Sequence, residues 1–161
     1  MSLWDRVRET LIAVWADVPR PRGDERTALL AWLCDTYTVE QRMSSQIYHD
    51  ATAMPYELFR RRLESMAREE EKHARVLRER IEALGGRVPE TAPTLRKGQH
   101  PWMCLVQMLA DERELYEGYR QQAAAVHDAD LQALLQQLRN EEEIHQEQII
   151  DLLMKVDGHI S

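Results

Sequence analysis

The chain of 161 residues carries 28 acidic and 21 basic side chains, which give a formal net charge of -7 and an isoelectric point near 5.4. This balance argues against a nucleic-acid-binding protein, because such proteins usually carry an excess of basic residues. The length suits one domain, and the low content of glycine, proline and phenylalanine favours helices over strands.

The sequence also lacks the signals of export and membrane insertion. Its apolar runs are only a few residues long, whereas a membrane-spanning helix needs about 20 consecutive apolar residues. Charged residues interrupt the first part of the chain, which argues against a secretory signal. The two cysteines, Cys34 and Cys104, form neither a CxxC motif nor a disulfide framework. These features predict a cytoplasmic protein without a membrane span.

The first predicted helix covers residues 3–18. Its apolar residues recur at intervals of four or three, as expected for one buried helix face: Leu3, Val7, Leu11, Val14 and Val18. Pro19, Pro21 and Gly23 then interrupt the pattern. Residues 1–23 are therefore predicted to form an N-terminal amphipathic helix and a linker. The apolar face is expected to pack on the chain's own bundle or on the partner subunit of a homodimer.

Four longer helices follow, and proline and glycine mark their ends. Pro55 separates the first two, and Gly85-Gly86 ends the second with a typical C-terminal signal. Pro101 suits the first position of the third helix, and a short turn at His127-Asp128 precedes the fourth. The predicted boundaries are about 24–53, 56–84, 101–126 and 129–156. Residues 85–99 form the connection between the second and third of these helices.

The second pair of long helices repeats the first pair at an offset of 72 residues. Apolar positions coincide at this offset, and so do the polar residues that interrupt them, which indicates two copies of one helical hairpin. The hairpins are residues 24–84 and 100–157, within one bundle domain at 24–161. Their connection reaches about 50 Å when extended, whereas a helix of about 27 residues is about 40 Å long. We therefore predict an all-α four-helix bundle with one long crossover.

Six polar residues interrupt the apolar faces at one level of the predicted bundle. They are Glu40, Glu70, His73, Glu112, Glu142 and His145. Four carboxylates cannot be buried together in ionised form without partners, so either several are protonated or cations neutralise them. Two divalent cations carry the matching charge, and each Glu-x-x-His places its two side chains one helical turn apart. Oxygen-rich sites with one imidazole per ion suit iron or manganese, so the pattern predicts a dinuclear metal site.

This pattern resembles the ferritin-like di-iron superfamily, in particular its rubrerythrin and bacterioferritin branches. The resemblance covers about residues 24–157 and lies in Glu40, Glu112 and the runs Glu69-Glu70-Glu71-Lys72-His73 and Glu141-Glu142-Glu143-Ile144-His145. It implies a ferritin-like four-helix bundle in which Glu40 and Glu112 are terminal ligands of two iron ions. It also implies that Glu70 and Glu142 bridge the ions, and that His73 and His145 each bind one of them.

Two departures from these branches bear on function. Rubrerythrins usually carry a rubredoxin-like domain with four cysteines, and this sequence has no such motif, so the electron donor is expected to be external. Ferritin cages use a short helix after the bundle, and no counterpart of it is predicted here. A storage shell of 24 subunits is therefore not expected.

Several residues beside the six are candidates for supporting roles. Tyr37 and Tyr116 lie one helical turn from Glu40 and Glu112, so each is predicted either to hydrogen-bond a ligand carboxylate or to be an ordinary core aromatic. Ser44 matches Tyr116 in the repeat, and its small side chain leaves room for an oxidant. The four glutamates that flank the ligands lie off the buried faces and are predicted to be solvated: Glu69, Glu71, Glu141 and Glu143.

Three functions are compatible with such a site. The first is a di-iron oxidoreductase of the rubrerythrin-like peroxidase or ferroxidase type, in which ferrous iron reacts with hydrogen peroxide or dioxygen. The second is a di-iron hydroxylase of a small organic or nucleic-acid substrate. The third is a non-catalytic iron-binding or stress-protection protein. We expect the first, because the six-residue site occurs without signs of a large storage assembly.

Overall fold

The computed structural model of the protein describes residues 22–90 and 92–157. Within these residues it contains no strand and four α-helices. The helices are α1 (Arg22–Ala53), α2 (Glu57–Ala83), α3 (Pro101–Ala125) and α4 (Ala129–Asp157). The predicted four-helix bundle is confirmed, and α1 begins two residues before its predicted start. The predicted N-terminal helix at 3–18 lies outside the described residues.

The helices pack as two hairpins. Helix α1 packs mainly on α2 and helix α3 mainly on α4, while contacts of α1 with α3 and of α2 with α4 join the two hairpins. The crossover between α2 and α3 runs along α1. The Cys34 thiol donates to the carbonyl of Arg87 at 3.5 Å, and the Gln46 side chain bonds both backbone groups of Arg96 at 2.8 and 3.0 Å. Because Cys34 and Gln46 lie about 18 Å apart along α1, the crossover follows the length of the bundle as predicted.

Local sequence sets where the helices end. Gly85 has a φ of 77°, a left-handed conformation that glycine adopts without strain. The backbone N–H groups of Gly85 and Gly86 donate to carbonyls in the last turn of α2, both at 2.9 Å, and so close that turn. At the start of α4, the Asp128 carboxylate accepts the backbone N–H of Leu131 at 2.7 Å. These hydrogen bonds set the end of α2 and the start of α4.

The bundle core is apolar on both sides of one polar level. Aliphatic side chains that are fully buried there include Leu33, Ile47, Leu63, Leu77, Leu105, Leu115, Leu135 and Leu152. Burying a side chain of this kind contributes about 1.5–3 kcal/mol, so the apolar layers stabilise the fold on either side of the polar level. Among the described residues, no helix has an apolar stretch long enough to cross a membrane.

Candidate metal centre

All six predicted polar residues meet in the middle of the bundle. Glu40 comes from α1 and Glu112 from α3, while α2 and α4 each contribute a Glu-x-x-His. The four carboxylates and His145 are 0% exposed, and His73 is 1% exposed. The 3.6-residue period of the helices explains this arrangement, because each residue lies on the apolar face of its own helix.

The six side chains form two overlapping groups of four. One group is Glu40, Glu70, His73 and Glu142, and the other is Glu70, Glu112, Glu142 and His145. In each group, one ligand atom from every residue lies within 4.8 Å of the others. Glu70 and Glu142 belong to both groups, which is the placement that two bridging carboxylates require.

The oxygens of the two shared carboxylates divide between the groups. Nδ1 of His73 lies 3.0 Å from Oε1 of Glu142 and 3.4 Å from Oε2 of Glu70. Nδ1 of His145 lies 2.7 Å from Oε1 of Glu70 and 3.4 Å from Oε2 of Glu142. Each shared carboxylate therefore presents one oxygen to the His73 half of the site and its other oxygen to the His145 half. The two imidazoles stack with ring centroids 5.7 Å apart.

A terminal carboxylate completes each half. Oε2 of Glu40 lies 3.7 Å from Nδ1 of His73, and Oε2 of Glu112 lies 3.5 Å from Nδ1 of His145. Ligand atoms that bind one ion at about 2.1 Å lie about 3 Å from their neighbours. The nitrogen–oxygen separations in both halves are close to that value.

The outer nitrogens of the two histidines contact glutamates on the neighbouring helix. Nε2 of His73 lies 2.7 Å from Oε2 of Glu141, and Nε2 of His145 lies 2.8 Å from Oε2 of Glu69. An ionised carboxylate only accepts hydrogen bonds, so Nε2 of each ring is the donor, and the neutral ring that a metal ion would bind has its lone pair on Nδ1, which faces the site. The prediction that both glutamates are solvated is wrong for Glu141, which is half-buried, whereas Glu69 is exposed as predicted and also contacts His145. The same prediction holds for exposure at Glu71 and Glu143.

Burial and like charge act strongly on the terminal carboxylates. Burial, together with the charge of Glu70, raises the pKa of Glu40 to about 8. Burial and the charge of Glu142 raise the pKa of Glu112 well above its ordinary value. Burial alone would lower the pKa of the imidazoles, but the surrounding carboxylates outweigh it and raise the pKa of both His73 and His145. The cluster therefore attracts positive charge.

Nine buried atoms of the six side chains face one another, and none of them has a hydrogen-bond partner outside the cluster. They are one oxygen of Glu40, both oxygens of Glu70, Glu112 and Glu142, and Nδ1 of His73 and His145. Leaving a buried polar atom unsatisfied costs about 1–3 kcal/mol, so a concentration of them at one place calls for a ligand. Carboxylate oxygens with one imidazole per half suit iron or manganese. The residues therefore fit two divalent cations.

Tyr119, which was not predicted as a neighbour of the site, supports one terminal carboxylate. The Tyr119 hydroxyl donates a hydrogen bond to Oε1 of Glu40, and its side chain is 0% exposed. Burial and the charge of Glu40 raise the pKa of Tyr119 well above its ordinary value, so the hydroxyl keeps the proton that it donates. Its signal in the sequence was a place on the buried face of α3, two turns after Glu112.

The three residues that were predicted as neighbours of the site have other contacts or less burial. The Tyr37 hydroxyl accepts a hydrogen bond from Arg78, and the Ser44 hydroxyl donates to the carbonyl of Ala67 at 2.9 Å. Tyr116 is half-buried on α3. The hydrogen bond to Glu40 thus comes from Tyr119, three residues after Tyr116.

An open cavity of about 700 Å³ lies beside Tyr37, on the side of the bundle where the crossover begins. Its lining includes Arg78, Glu82, Arg87 and Val88. None of the six clustered residues belongs to the lining. This cavity therefore does not lead a substrate directly to the cluster.

Fold and cluster together define a class, the four-helix bundles with one long crossover and a buried carboxylate–histidine centre. Residues 30–158 match the model of the family Ferritin, described as ferritin-like domain. Since this stretch is most of the chain, the protein belongs to the ferritin-like domain family. A comparison with curated protein sequences finds no match.

Several solved structures share the fold. The bacterioferritin of Desulfovibrio desulfuricans, described with its diiron site in different catalytic states, has a TM-score of 0.79 and 20% identity over 87% of this chain and 86% of its own. A dodecameric thioferritin from Bacteroides fragilis has a TM-score of 0.74 and 21% identity, covering 83% and 88%. A ferritin-like, diiron-carboxylate protein from Bacillus anthracis has a TM-score of 0.72 and 24% identity, covering 80% and 96%. At these identities the likeness establishes the fold.

Proposed function

We propose that the protein is a dinuclear metal oxidoreductase, with iron as its metal, that reacts ferrous iron with hydrogen peroxide or dioxygen. The observation that carries this proposal is the pair of overlapping groups in which Glu70 and Glu142 present one oxygen to either half. Such an arrangement offers two adjacent ions a common pair of ligands. The diiron site of the Desulfovibrio relative supports the choice of iron.

The side chains have distinct parts in this proposal. Glu40 and Glu112 would be terminal ligands, Glu70 and Glu142 would be shared by two ions, and Nδ1 of each histidine would bind one ion. Two bound ferrous ions supply two electrons, enough to reduce one hydrogen peroxide to two waters with two protons. Burial of all six side chains keeps bulk water away, and the hydrogen bonds at Nε2 hold the imidazole rings in place.

Replacing Glu141 with alanine is expected to weaken divalent metal binding by about 10–100-fold, because His73 then loses the acceptor that fixes its ring and its tautomer. The measurement is calorimetric titration of the metal-free protein with cobalt(II). Glu143→Ala is the matched control, since Glu143 lies on the same helix with its side chain in solvent. Equal affinities in the two variants would contradict the supporting role of Glu141.

The proposed activity is tested by loading the metal-free protein with ferrous iron under anaerobic conditions and then adding hydrogen peroxide or dioxygen. We expect two ions per chain and rapid oxidation of the bound iron. The oxidation is followed by its optical spectrum. Fewer than two metal ions per chain, or no oxidation by either reagent, would refute the proposal. Metal content after purification without added metal distinguishes iron from manganese, which uses the same ligands.

Repeated turnover separates the oxidoreductase from a non-catalytic iron-binding protein. With an external electron donor, an oxidoreductase consumes many equivalents of peroxide per chain, whereas a binding protein stops after one oxidation of its bound iron. The donor is expected to be a separate protein or small reductant. A hydroxylase requires a substrate cavity beside the ions, and the cavity near Tyr37 gives no support for one because its lining omits all six ligands.

Self-association is part of the proposal. The Bacteroides fragilis relative is dodecameric, which supports assembly of this chain as well. The sequence predicts a homodimer, and the N-terminal residues 1–23 are expected to pack on the bundle or on the partner subunit. Light scattering of the full chain, compared with a chain that begins at Gly23, tests whether that segment holds subunits together.

A further inference from the structure

The internal repeat is not exact around the candidate metal centre: two residues that contact ligands or their partners have no equivalent in the other hairpin. All six ligands recur at the offset of 72 residues, and so do Glu69 and Glu141, which contact the histidines. Tyr119, however, corresponds to Ile47, and Gln137 corresponds to Ser65. The two halves of the site therefore have equal ligands and unequal surroundings.

The first break concerns the terminal carboxylates. Oε1 of Glu40 accepts the hydrogen bond of Tyr119, which leaves Oε2 as its free atom on the side of His73. In the other half, Ile47 occupies the matching position with a fully buried aliphatic side chain. Glu112 accordingly has no hydroxyl donor, and its Oε2 faces only the cluster, 3.5 Å from Nδ1 of His145. Glu40 is held by a hydrogen bond from the other hairpin, whereas no hydroxyl holds Glu112 in this way.

The second break concerns the glutamates behind the histidines. The Gln137 amide donates to Oε1 of Glu141 at 2.9 Å, while the matching Ser65 has no amide to donate. The side chain of Glu141 is also less exposed than that of Glu69, at 26% against 47%. Both breaks favour the same half of the site, the one that contains Glu40 and His73.

We propose that Tyr119 is a positioning residue that makes the two metal positions unequal, so that the first divalent cation occupies the Glu40–His73 position. This inference rests on the proposed dinuclear site. Ligands that are already oriented lose less freedom when the ion binds, so the prepared position binds more tightly. The Glu112–His145 position fills second, because no hydroxyl orients its terminal carboxylate.

Titration of the metal-free protein with cobalt(II) tests the part played by Tyr119. The wild-type protein is expected to bind two ions in two steps, and Tyr119→Phe is expected to weaken the tight step by about 10-fold or more. Two cations that share carboxylates repel each other, so two steps alone do not identify the cause. Tyr48→Phe on α1 is the matched control, because Tyr48 is a half-buried core tyrosine away from the cluster. Identical isotherms for all three proteins would overturn the inference.

A measurement on the unaltered protein avoids any effect of Tyr119→Phe on folding. Crystals grown with one equivalent of manganese(II) per chain are expected to show anomalous scattering at the Glu40–His73 position, several-fold stronger than at the Glu112–His145 position. Equal peaks, or a stronger peak at Glu112–His145, would refute the inference and leave the dinuclear site intact. Absence of manganese from both positions at saturating concentration would refute the site itself.

Discussion

Alanine in place of Glu70 is expected to abolish the oxidation of ferrous iron and to reduce the bound iron from two ions to at most one per chain. Glu70 offers one oxygen to His73's half of the site and the other to His145's half, so its loss removes a ligand from both ions. A fall in the oxidation rate of at least about 100-fold is expected, more than for a residue that only supports a ligand. Anaerobic iron titration and stopped-flow oxidation by peroxide measure both effects.

The neighbouring residue provides the control. Glu71 lies on the same helix with its side chain in solvent, so Glu71→Ala is expected to retain two ions and the full rate. Glu142→Ala is expected to behave like Glu70→Ala, because Glu142 shares its oxygens in the same way. Circular dichroism of each variant shows whether the bundle has formed. A folded Glu70→Ala or Glu142→Ala protein that oxidises iron at the normal rate would contradict the assignment of bridging ligands.

Most of the fold was predictable because the sequence of each helix determines its buried face and its ends. The 3.6-residue period identifies the buried face, and Gly85-Gly86 ends α2 through hydrogen bonds that depend only on local sequence. The offset of 72 residues then aligns the two hairpins without knowledge of their contacts. The structure brings all six polar residues of those faces together, and their binding of metal stays a prediction.

Contacts between helices were less predictable. A periodic pattern tells which face of a helix is buried but not how far a long side chain reaches across the interface. Glu141 and Glu69 lie beside the buried face, yet their carboxylates reach histidines on the adjacent helix. Tyr119 lies about 10 Å along α3 from Glu112, and its hydroxyl reaches Glu40 on the other hairpin. Such partners follow from the packing of two helices and are not encoded in either one.

The fold shows that part of the acidic charge of the chain lies in the core and not on the surface. Four of its 28 acidic residues are the buried carboxylates of the cluster, where they contribute nothing to the solvated surface. Two divalent cations would offset these four charges and bring the net charge from -7 to about -3. Part of the acidity that argued against nucleic acid binding is thus a property of the core.

Binding of metal is expected to raise the thermal stability of the protein. Nine buried polar atoms of the cluster have no hydrogen-bond partner outside it, and two cations would satisfy them. A ligand at 100 times its dissociation constant stabilises a protein by about 2.7 kcal/mol, so two ions contribute about 5 kcal/mol. For a chain of this size, such a gain raises the melting temperature by about 10–20 °C. Calorimetry with and without manganese(II), and again after a chelator, measures the change.

Replacement of Glu112 by glutamine distinguishes a metal ligand from a merely structural residue. In the metal-free protein, burial and Glu142 oppose the charge on Glu112, so the neutral amide is expected to leave stability unchanged or to increase it. The same variant is expected to lose about half of the gain from manganese(II), because the Glu112–His145 position has lost its terminal carboxylate. A structural residue would shift both states in the same direction. An equal rise in melting temperature on metal loading in the two proteins would show that Glu112 does not bind the second ion.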